Sequence, residues 1–133
     1  MKADTQKAVM IDEYGGKTHY RIVPKPVPKE GELFVKMDAS TINPSDLIFL
    51  KGGYFQRPLP AVCGLEGTGH VVSANGADLQ HWVGKRVTFF SGYGTWCEYS
   101  VCHPSFCFEI TEDVPEQSAA SGLINPLTAI GFI

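Results

Sequence analysis

The chain has 133 residues, of which 44% are hydrophobic and 19% are charged, and its formal net charge is −3. This length predicts one domain with a buried apolar core, and the charge gives no electrostatic basis for binding nucleic acid. No apolar run approaches the roughly 18 residues that a membrane-spanning helix needs. The N-terminal residues lack a signal peptide or an Arg-rich transit pattern. We therefore expect a cytoplasmic protein, or a mitochondrial one if a transit peptide has been removed.

Short strands dominate the first part of the chain. Two apolar runs, at 7–11 and 20–23, are separated by a Gly-Gly pair, which predicts a hairpin. The proline-rich segment 24–31 predicts an extended connector. Residues 32–40 alternate between apolar and polar side chains, and this period of two predicts a half-buried strand.

A short helix is predicted to begin after Asn43. Asparagine is a favoured N-cap, Pro44 suits the first helical position, and Asp46 places a carboxylate in the first turn. The pair Gly52-Gly53 predicts the end of the helix. Helix N-termini also favour polar ligand groups, so capping and a role in a binding site both remain open for these residues.

The remaining pattern predicts further strands and then two helices. The strands are expected at 66–75, 84–90, 95–101 and 107–110. Segment 115–123 predicts a helix with Asp113 as a possible cap, and a second helix is expected over 126–133. Both helices are apolar enough to need a partner surface, which predicts association through the C-terminal helices.

Several reactive residue types have ordinary structural interpretations. The spacing of Cys97, Cys102 and Cys107 differs from a C-x2-C zinc pattern, so we expect reduced thiols in strands. Glu66 stands at the head of a strand, where an acid is usually solvated or hydrogen-bonded. Tyr54 lies on a predicted loop, where an aromatic side chain covers the core or takes part in chemistry.

Three polar motifs recur at intervals of about ten residues, namely Asn43-Pro44-Ser45-Asp46, Gly52-Gly53-Tyr54 and Gly64-Leu65-Glu66-Gly67. A fourth, Asn125-Pro126-Leu127-Thr128-Ala129, lies near the end. Together they resemble the N-terminal, GroES-like catalytic domain of the medium-chain dehydrogenase/reductase superfamily. Within it, the chain is similar to the zinc-free quinone oxidoreductases and enoyl thioester reductases.

This resemblance implies a mainly β fold, a GroES-like partly open β-barrel with short helices. Residues 1–122 would form the substrate-side domain, and 123–133 would begin the connection to a cofactor-binding Rossmann domain. The chain contains no G-x-G-x-x-G turn for a dinucleotide. We therefore expect it to bind NADPH weakly or not at all by itself, and to be inactive alone.

The resemblance also implies a reaction without metal. Zinc-dependent members have a cysteine where this chain has Asn43 and a histidine where it has Leu65. A catalytic zinc needs about three protein ligands, and leucine cannot coordinate metal. Hydride from NADPH would therefore reach a conjugated carbonyl unassisted by zinc.

The site residues follow from the same resemblance. The implied catalytic residues are Tyr54, which would donate a proton to the enolate or stabilise it, and Asn43, which would lie near the nicotinamide. Asn43 and Thr128 would be the cofactor-binding residues, with Thr128 contacting the nicotinamide side. The implied function is reduction of quinones or α,β-unsaturated carbonyls, with a small-molecule substrate as the partner. The alternative is a non-catalytic binding or assembly module derived from the same family.

Overall fold

The computed structural model describes residues 4–132, which form eight strands and three short α-helices. The strands are β1 (Thr5–Ile11), β2 (Thr18–Pro24), β3 (Leu33–Ser40), β4 (Ala61–Val62), β5 (Glu66–Ala74), β6 (Arg86–Phe90), β7 (Tyr99–Cys102) and β8 (Cys107–Glu109). The helices are α1 (Pro44–Leu50), α2 (Glu116–Ala120) and α3 (Ile124–Ile130), with 3₁₀ turns at Ala77–Trp82 and Pro104–Phe106. The prediction of a mainly β fold is confirmed.

Two open antiparallel sheets make up the framework. One has the strand order β2-β1-β4, and the other has the order β7-β3-β5-β6-β8. A bridge between Ala8 and Cys97 links β1 to the chain that leads into β7. The sheets thus curve around a common interior without closing into a complete barrel.

The core has two main parts. The inward side chains of the larger sheet form an apolar cluster that includes Leu33, Val35, Val71 and Phe89. A second cluster lies under α1, where Phe49 packs with apolar residues of β1 and of the segment 61–65. Because β3 alternates in burial, its polar residues face outward as the sequence pattern predicted.

Turn and capping residues in the sequence predicted the positions of most strands and helices correctly. The hairpin turn contains Gly15 with φ 81°, and α1 ends before Gly52 with φ 80°. Both glycines adopt left-handed backbone, which other residues rarely do. The four cysteines, Cys63, Cys97, Cys102 and Cys107, are free thiols as predicted. Burial raises the pKa of Cys63 to about 11 and that of Cys97 to about 12.

Several predicted boundaries were wrong. The strand expected over 84–90 begins at Arg86, and the helix expected over 115–123 ends at Ala120. The strand expected over 95–101 begins only at Tyr99, because the N–H groups of Thr95 and Trp96 both donate to the carbonyl of Cys63 and form a turn. Helix α2 has Pro115, and not Asp113, at its N-cap position.

Both ends of the last helix were also predicted wrongly. Helix α3 begins at Ile124, two residues before the predicted start at residue 126. It ends at Ile130, before the predicted end at Ile133, a residue that lies outside the described ones. None of the helices within 4–132 is long and apolar enough to cross a membrane.

Candidate functional site

Residues of the first turn of α1 cap the N-terminus of this helix. Asn43 occupies the N-cap with extended backbone, and Pro44 is the first helical residue. The fully buried Asp46 accepts a hydrogen bond from the Asn43 N–H, with 2.6 Å between N and Oδ2. Asp46 therefore has the capping role that the sequence suggested.

Two effects of opposite sign act on the Asp46 carboxyl. Burial raises the pKa of Asp46, and the neighbouring Glu66 carboxylate adds to the rise. The hydrogen bond from the Asn43 N–H opposes it, but burial is the larger effect. The charged form of Asp46 is thus less favourable in the folded protein than in water.

The side chain of Asn43 turns away from the helix and toward β5. Its Nδ2 donates to Oε1 of Glu66 at 2.7 Å and to Oγ1 of Thr41 at 3.0 Å. Its Oδ1 faces Nδ2 of Asn125, 3.4 Å away. Asn43 is therefore the N-cap by position, while its amide belongs to a buried polar network.

Glu66 is the centre of this network. The residue has no exposed surface, and its second oxygen, Oε2, accepts a hydrogen bond from the backbone N–H of Ile124 at 2.8 Å. The Glu66 carboxylate thus links the start of β5 to the start of α1 and to the start of α3. Of the two sequence interpretations of Glu66, the hydrogen-bonded one is correct and the solvated one is wrong.

Tyr54 lies on the loop that follows α1, beside an apolar cleft. Its side chain is 54% exposed. The cleft has a volume of about 180 Å³. Its other lining residues are Ser45, Phe55, Leu65, Phe90 and Ile124. An adjoining apolar cleft of about 400 Å³ shares Phe90 and Ile124 and extends along α3 to Leu127.

Ser45 is a polar residue that sequence reasoning did not single out. Its hydroxyl oxygen is buried and has no hydrogen-bond partner among residues 4–132. The residue lines the same cleft as Tyr54. An unpaired buried hydroxyl costs about 1–3 kcal/mol. Oδ1 of the adjacent Asp46 is likewise buried without a partner within the described residues. The only sequence signal for Ser45 was its place between Asn43 and Asp46.

Thr128 lies one helical turn beyond Ile124 on the exposed side of α3. Its hydroxyl donates to the carbonyl of Ile124 at 2.7 Å. The structure therefore brings the first and last sequence motifs together through Asn43, Asn125 and Ile124. It shows no hydrogen bond of Thr128 to Asn43 or Tyr54 within the described part of the chain.

The positions that carry zinc ligands in zinc-dependent relatives have other partners here. Leu65 packs in the apolar cluster around Phe49, and Asn43 is bonded as described above. Across residues 4–132, no group of three or more His, Cys, Asp or Glu side chains is arranged to hold a metal ion. Zinc independence stays a prediction.

The fold and the motif positions define a GroES-like domain of the dehydrogenase type. The sequence profile of the alcohol dehydrogenase GroES-like domain matches residues 29–112, and the chain belongs to this family. The predicted membership of the medium-chain dehydrogenase/reductase superfamily is confirmed.

Several of the similar proteins are named as reductases. A mitochondrial enoyl-acyl-carrier-protein reductase of Arabidopsis thaliana is 36% identical over 135 residues, covering 96% of this chain and 35% of its own length. A Mesorhizobium loti protein assigned as an NADPH:quinone reductase superposes with a TM-score of 0.89 at 28% identity, covering 99% of this chain and 44% of that one.

A mycobacterial protein solved in complex with NADPH gives a TM-score of 0.83 at 33% identity, covering 93% of this chain and 38% of that one. The chain thus spans about a third of the length of the curated relative and about two-fifths of the solved ones.

Proposed function

We propose that this chain is the substrate-side domain of an NADPH-dependent oxidoreductase that reduces quinones or α,β-unsaturated carbonyls. The observation that carries the proposal is the position of Tyr54, a half-exposed phenol at an apolar cleft beside the Asn43–Glu66 network. Relatives named as quinone and enoyl reductases support the same chemistry.

The residues present suit the nicotinamide end of NADPH. Among the side chains of residues 4–132, the carbonyl oxygen of Asn43 has one donor, Nδ2 of Asn125, at the long distance of 3.4 Å. The Thr128 hydroxyl donates to Ile124 and can still accept a hydrogen bond. Nothing in the sequence provides a glycine-rich turn for the pyrophosphate, so the rest of the cofactor would be held outside this chain.

When bound, NADPH supplies the hydride for the electrophilic carbon of the substrate, and negative charge then develops on the carbonyl oxygen. The Tyr54 hydroxyl would donate a hydrogen bond or a proton to that oxygen. The apolar lining from Phe55, Leu65 and Phe90 would exclude water and so strengthen this interaction.

The test is the substitution Tyr54→Phe in the protein that joins this chain to its cofactor-binding domain. We expect kcat with a quinone or an enone to fall by roughly 10²–10³-fold, as for other single donors to an oxyanion, while the Kd for NADPH stays unchanged. Tyr20→Phe, a change in a tyrosine that is 66% exposed on β2, is the matched control and should leave kcat alone. An unchanged kcat in Tyr54→Phe would contradict the role of Tyr54.

The second candidate function is a non-catalytic binding or assembly module. It is favoured by α3 and the residues after it, where Leu127, Ile130 and Phe132 are 53%, 64% and 88% exposed. Apolar side chains presented together on a helix mark an interaction surface. If sedimentation shows that the chain self-associates and Leu127→Lys abolishes this, α3 is the interface. A chain that stays monomeric at high concentration would count against that interface.

A further inference from the structure

The Glu66 carboxylate is buried without a cation. Its three donors come from two parts of the chain. The Asn43 amide at 2.7 Å and the Thr41 hydroxyl at 3.4 Å precede α1, and the Ile124 N–H at 2.8 Å begins α3. Within residues 4–132 it forms no ion pair. Such a carboxylate persists in the interior because oriented dipoles surround it.

This arrangement dictates which end of the Asn43 amide points where. An ionised carboxylate only accepts hydrogen bonds, so the Asn43 group that faces Glu66 must be the NH₂. An amide NH₂ has two hydrogens, and here they go to Glu66 and Thr41. The carbonyl oxygen is therefore the only group that Asn43 can offer to a ligand.

We infer that Glu66 is a positioning residue that makes Asn43 a hydrogen-bond acceptor for the bound cofactor. The inference rests on the proposed function and deepens it. An acceptor oxygen repels a developing oxyanion, so Asn43 contributes to cofactor binding and not to stabilising charge on the substrate. In NADPH, the donors of suitable chemistry near the hydride are the carboxamide NH₂ and the ribose hydroxyls.

The substitution Glu66→Gln tests this because it replaces one acceptor oxygen with a donor of nearly the same size. The Ile124 N–H belongs to the backbone and cannot turn, so the glutamine oxygen is expected to face it. The glutamine NH₂ then faces Asn43, whose amide relieves the donor–donor conflict by rotating through half a turn. Asn43 would then present its NH₂ to the cofactor.

The experiment measures Kd for NADPH by fluorescence titration and, separately, kcat, in the protein that contains the cofactor-binding domain. For Glu66→Gln we expect Kd to rise about tenfold or more, which corresponds to one lost hydrogen bond of about 1.4 kcal/mol. We expect kcat to fall by a smaller factor. Ser40→Ala is the stability control, since it removes hydroxyl contacts to the Glu66 carbonyl and to Thr95 and leaves the Asn43 amide in place. It should lower stability without changing Kd.

The 3-acetylpyridine analogue of NADPH, which lacks the carboxamide NH₂, separates the two possible donors. If the carboxamide is the donor, the wild-type protein binds the analogue more weakly than NADPH and Glu66→Gln loses that preference. If a ribose hydroxyl is the donor, Glu66→Gln weakens both cofactors equally.

If the wild-type protein binds NADPH and Glu66→Gln binds it with the same Kd, the inference is overturned and the proposed function is not. No NADPH binding by the wild-type protein would overturn the proposed function as well. If Glu66→Gln fails to fold, Asn43→Ala replaces it. A loss confined to kcat in Asn43→Ala would show that Asn43 acts on the reacting substrate, which would overturn the inference.

Discussion

The Tyr14 hydroxyl binds both backbone polar groups of Arg57. It accepts a hydrogen bond from the Arg57 N–H at 2.6 Å and donates one to the Arg57 carbonyl at 3.0 Å. The two residues are 43 positions apart. Because Arg57 follows Tyr54 by three residues, this contact anchors the loop that carries the candidate proton donor.

The Arg57 side chain extends the same anchor into the core. Its guanidinium donates to the carbonyls of Val62 at 2.8 Å and Ser91 at 2.7 Å, and to that of Gly64 at 3.3 Å. We expect Arg57→Met to lower the free energy of unfolding by about 3 kcal/mol or more, because each buried acceptor left unpaired costs about 1–3 kcal/mol. Urea unfolding measures the loss.

Arg21→Met is the matched control for that variant. Arg21 is a partly exposed residue whose guanidinium bonds to Asp12 at the surface. Exposed ion pairs contribute little, so we expect no measurable change in unfolding free energy. Equal losses in the two variants would show that the carbonyl contacts of Arg57 do not stabilise the fold.

Two glycines with the same backbone conformation should respond differently to alanine. Gly64 and Gly31 have φ of 89° and 84°. Left-handed backbone costs an L-residue about 1–2 kcal/mol, and both variants lose this much. At Gly64 an added Cβ would also overlap Thr95 and Trp96, whereas at Gly31 it meets nothing within 4 Å.

We therefore expect Gly64→Ala to unfold at a clearly lower urea concentration than Gly31→Ala, or to fail to accumulate as folded protein. Comparable midpoints would mean that the turn at Thr95 and Trp96 shifts freely.

Ser45→Ala should stabilise the protein. The Ser45 hydroxyl oxygen is buried and has no hydrogen-bond partner in the part of the chain that the structure describes. Its removal relieves a desolvation cost, and we expect the free energy of unfolding to rise by about 1 kcal/mol. Ser100→Ala is the matched control. Ser100 is fully buried and donates to the Gly94 carbonyl at 2.6 Å, so its loss should destabilise by about 1 kcal/mol. Thermal or urea unfolding that shows the same sign for both variants would contradict this interpretation.

The raised pKa of Asp46 predicts a pH dependence of stability. The folded protein holds the Asp46 proton to higher pH than the unfolded chain, whose aspartate pKa is about 3.9. The stability that Asp46 contributes is therefore complete below the unfolded value and falls as pH rises through the folded one. Asparagine cannot ionise, so the free energy of unfolding of Asp46→Asn should increase relative to that of the wild-type protein as pH rises above about 4.

Asp113→Asn provides a control of opposite sign. Hydrogen bonding from Thr111 lowers the pKa of the exposed Asp113. Its contribution is present above the unfolded pKa and is lost as pH falls through the folded one. Urea unfolding at a series of pH values should therefore show Asp113→Asn worsening relative to wild type as pH rises. A trend of the same direction in both variants would refute the assignment for Asp46.

The sequence was informative where structure is specified locally. The cap at Asn43 and Pro44 and the turn at Gly52 depend on neighbouring residues only, and all were predicted. The hydrogen-bond partners of Glu66 and Arg57 were not predicted, because they are far along the chain. Glu66 binds Ile124, 58 positions away, and Arg57 binds Ser91, 34 positions away.

The same reason explains the wrong start of α3. The pattern N-P-x-T-A suggested a helix that begins at Pro126, since proline suits the first turn. A carboxylate from β5 instead satisfies the Ile124 N–H and so allows the helix to begin two residues earlier. Periodicity within the segment could not reveal an acceptor that comes from another strand.

The contact between Glu66 and Ile124 also makes the two ends of α3 differ in how readily they open. The Ile124 amide hydrogen is bound to a fully buried oxygen acceptor, so it can exchange with deuterium only when the helix separates from the sheet. The amide of Gly131 bonds to the carbonyl of Leu127, within an exposed last turn. Helix ends of this kind open without disturbing the core. Helix α3 is thus fixed at its first residue and frays from its last, so the Ile124 amide should take up deuterium more slowly than the Gly131 amide.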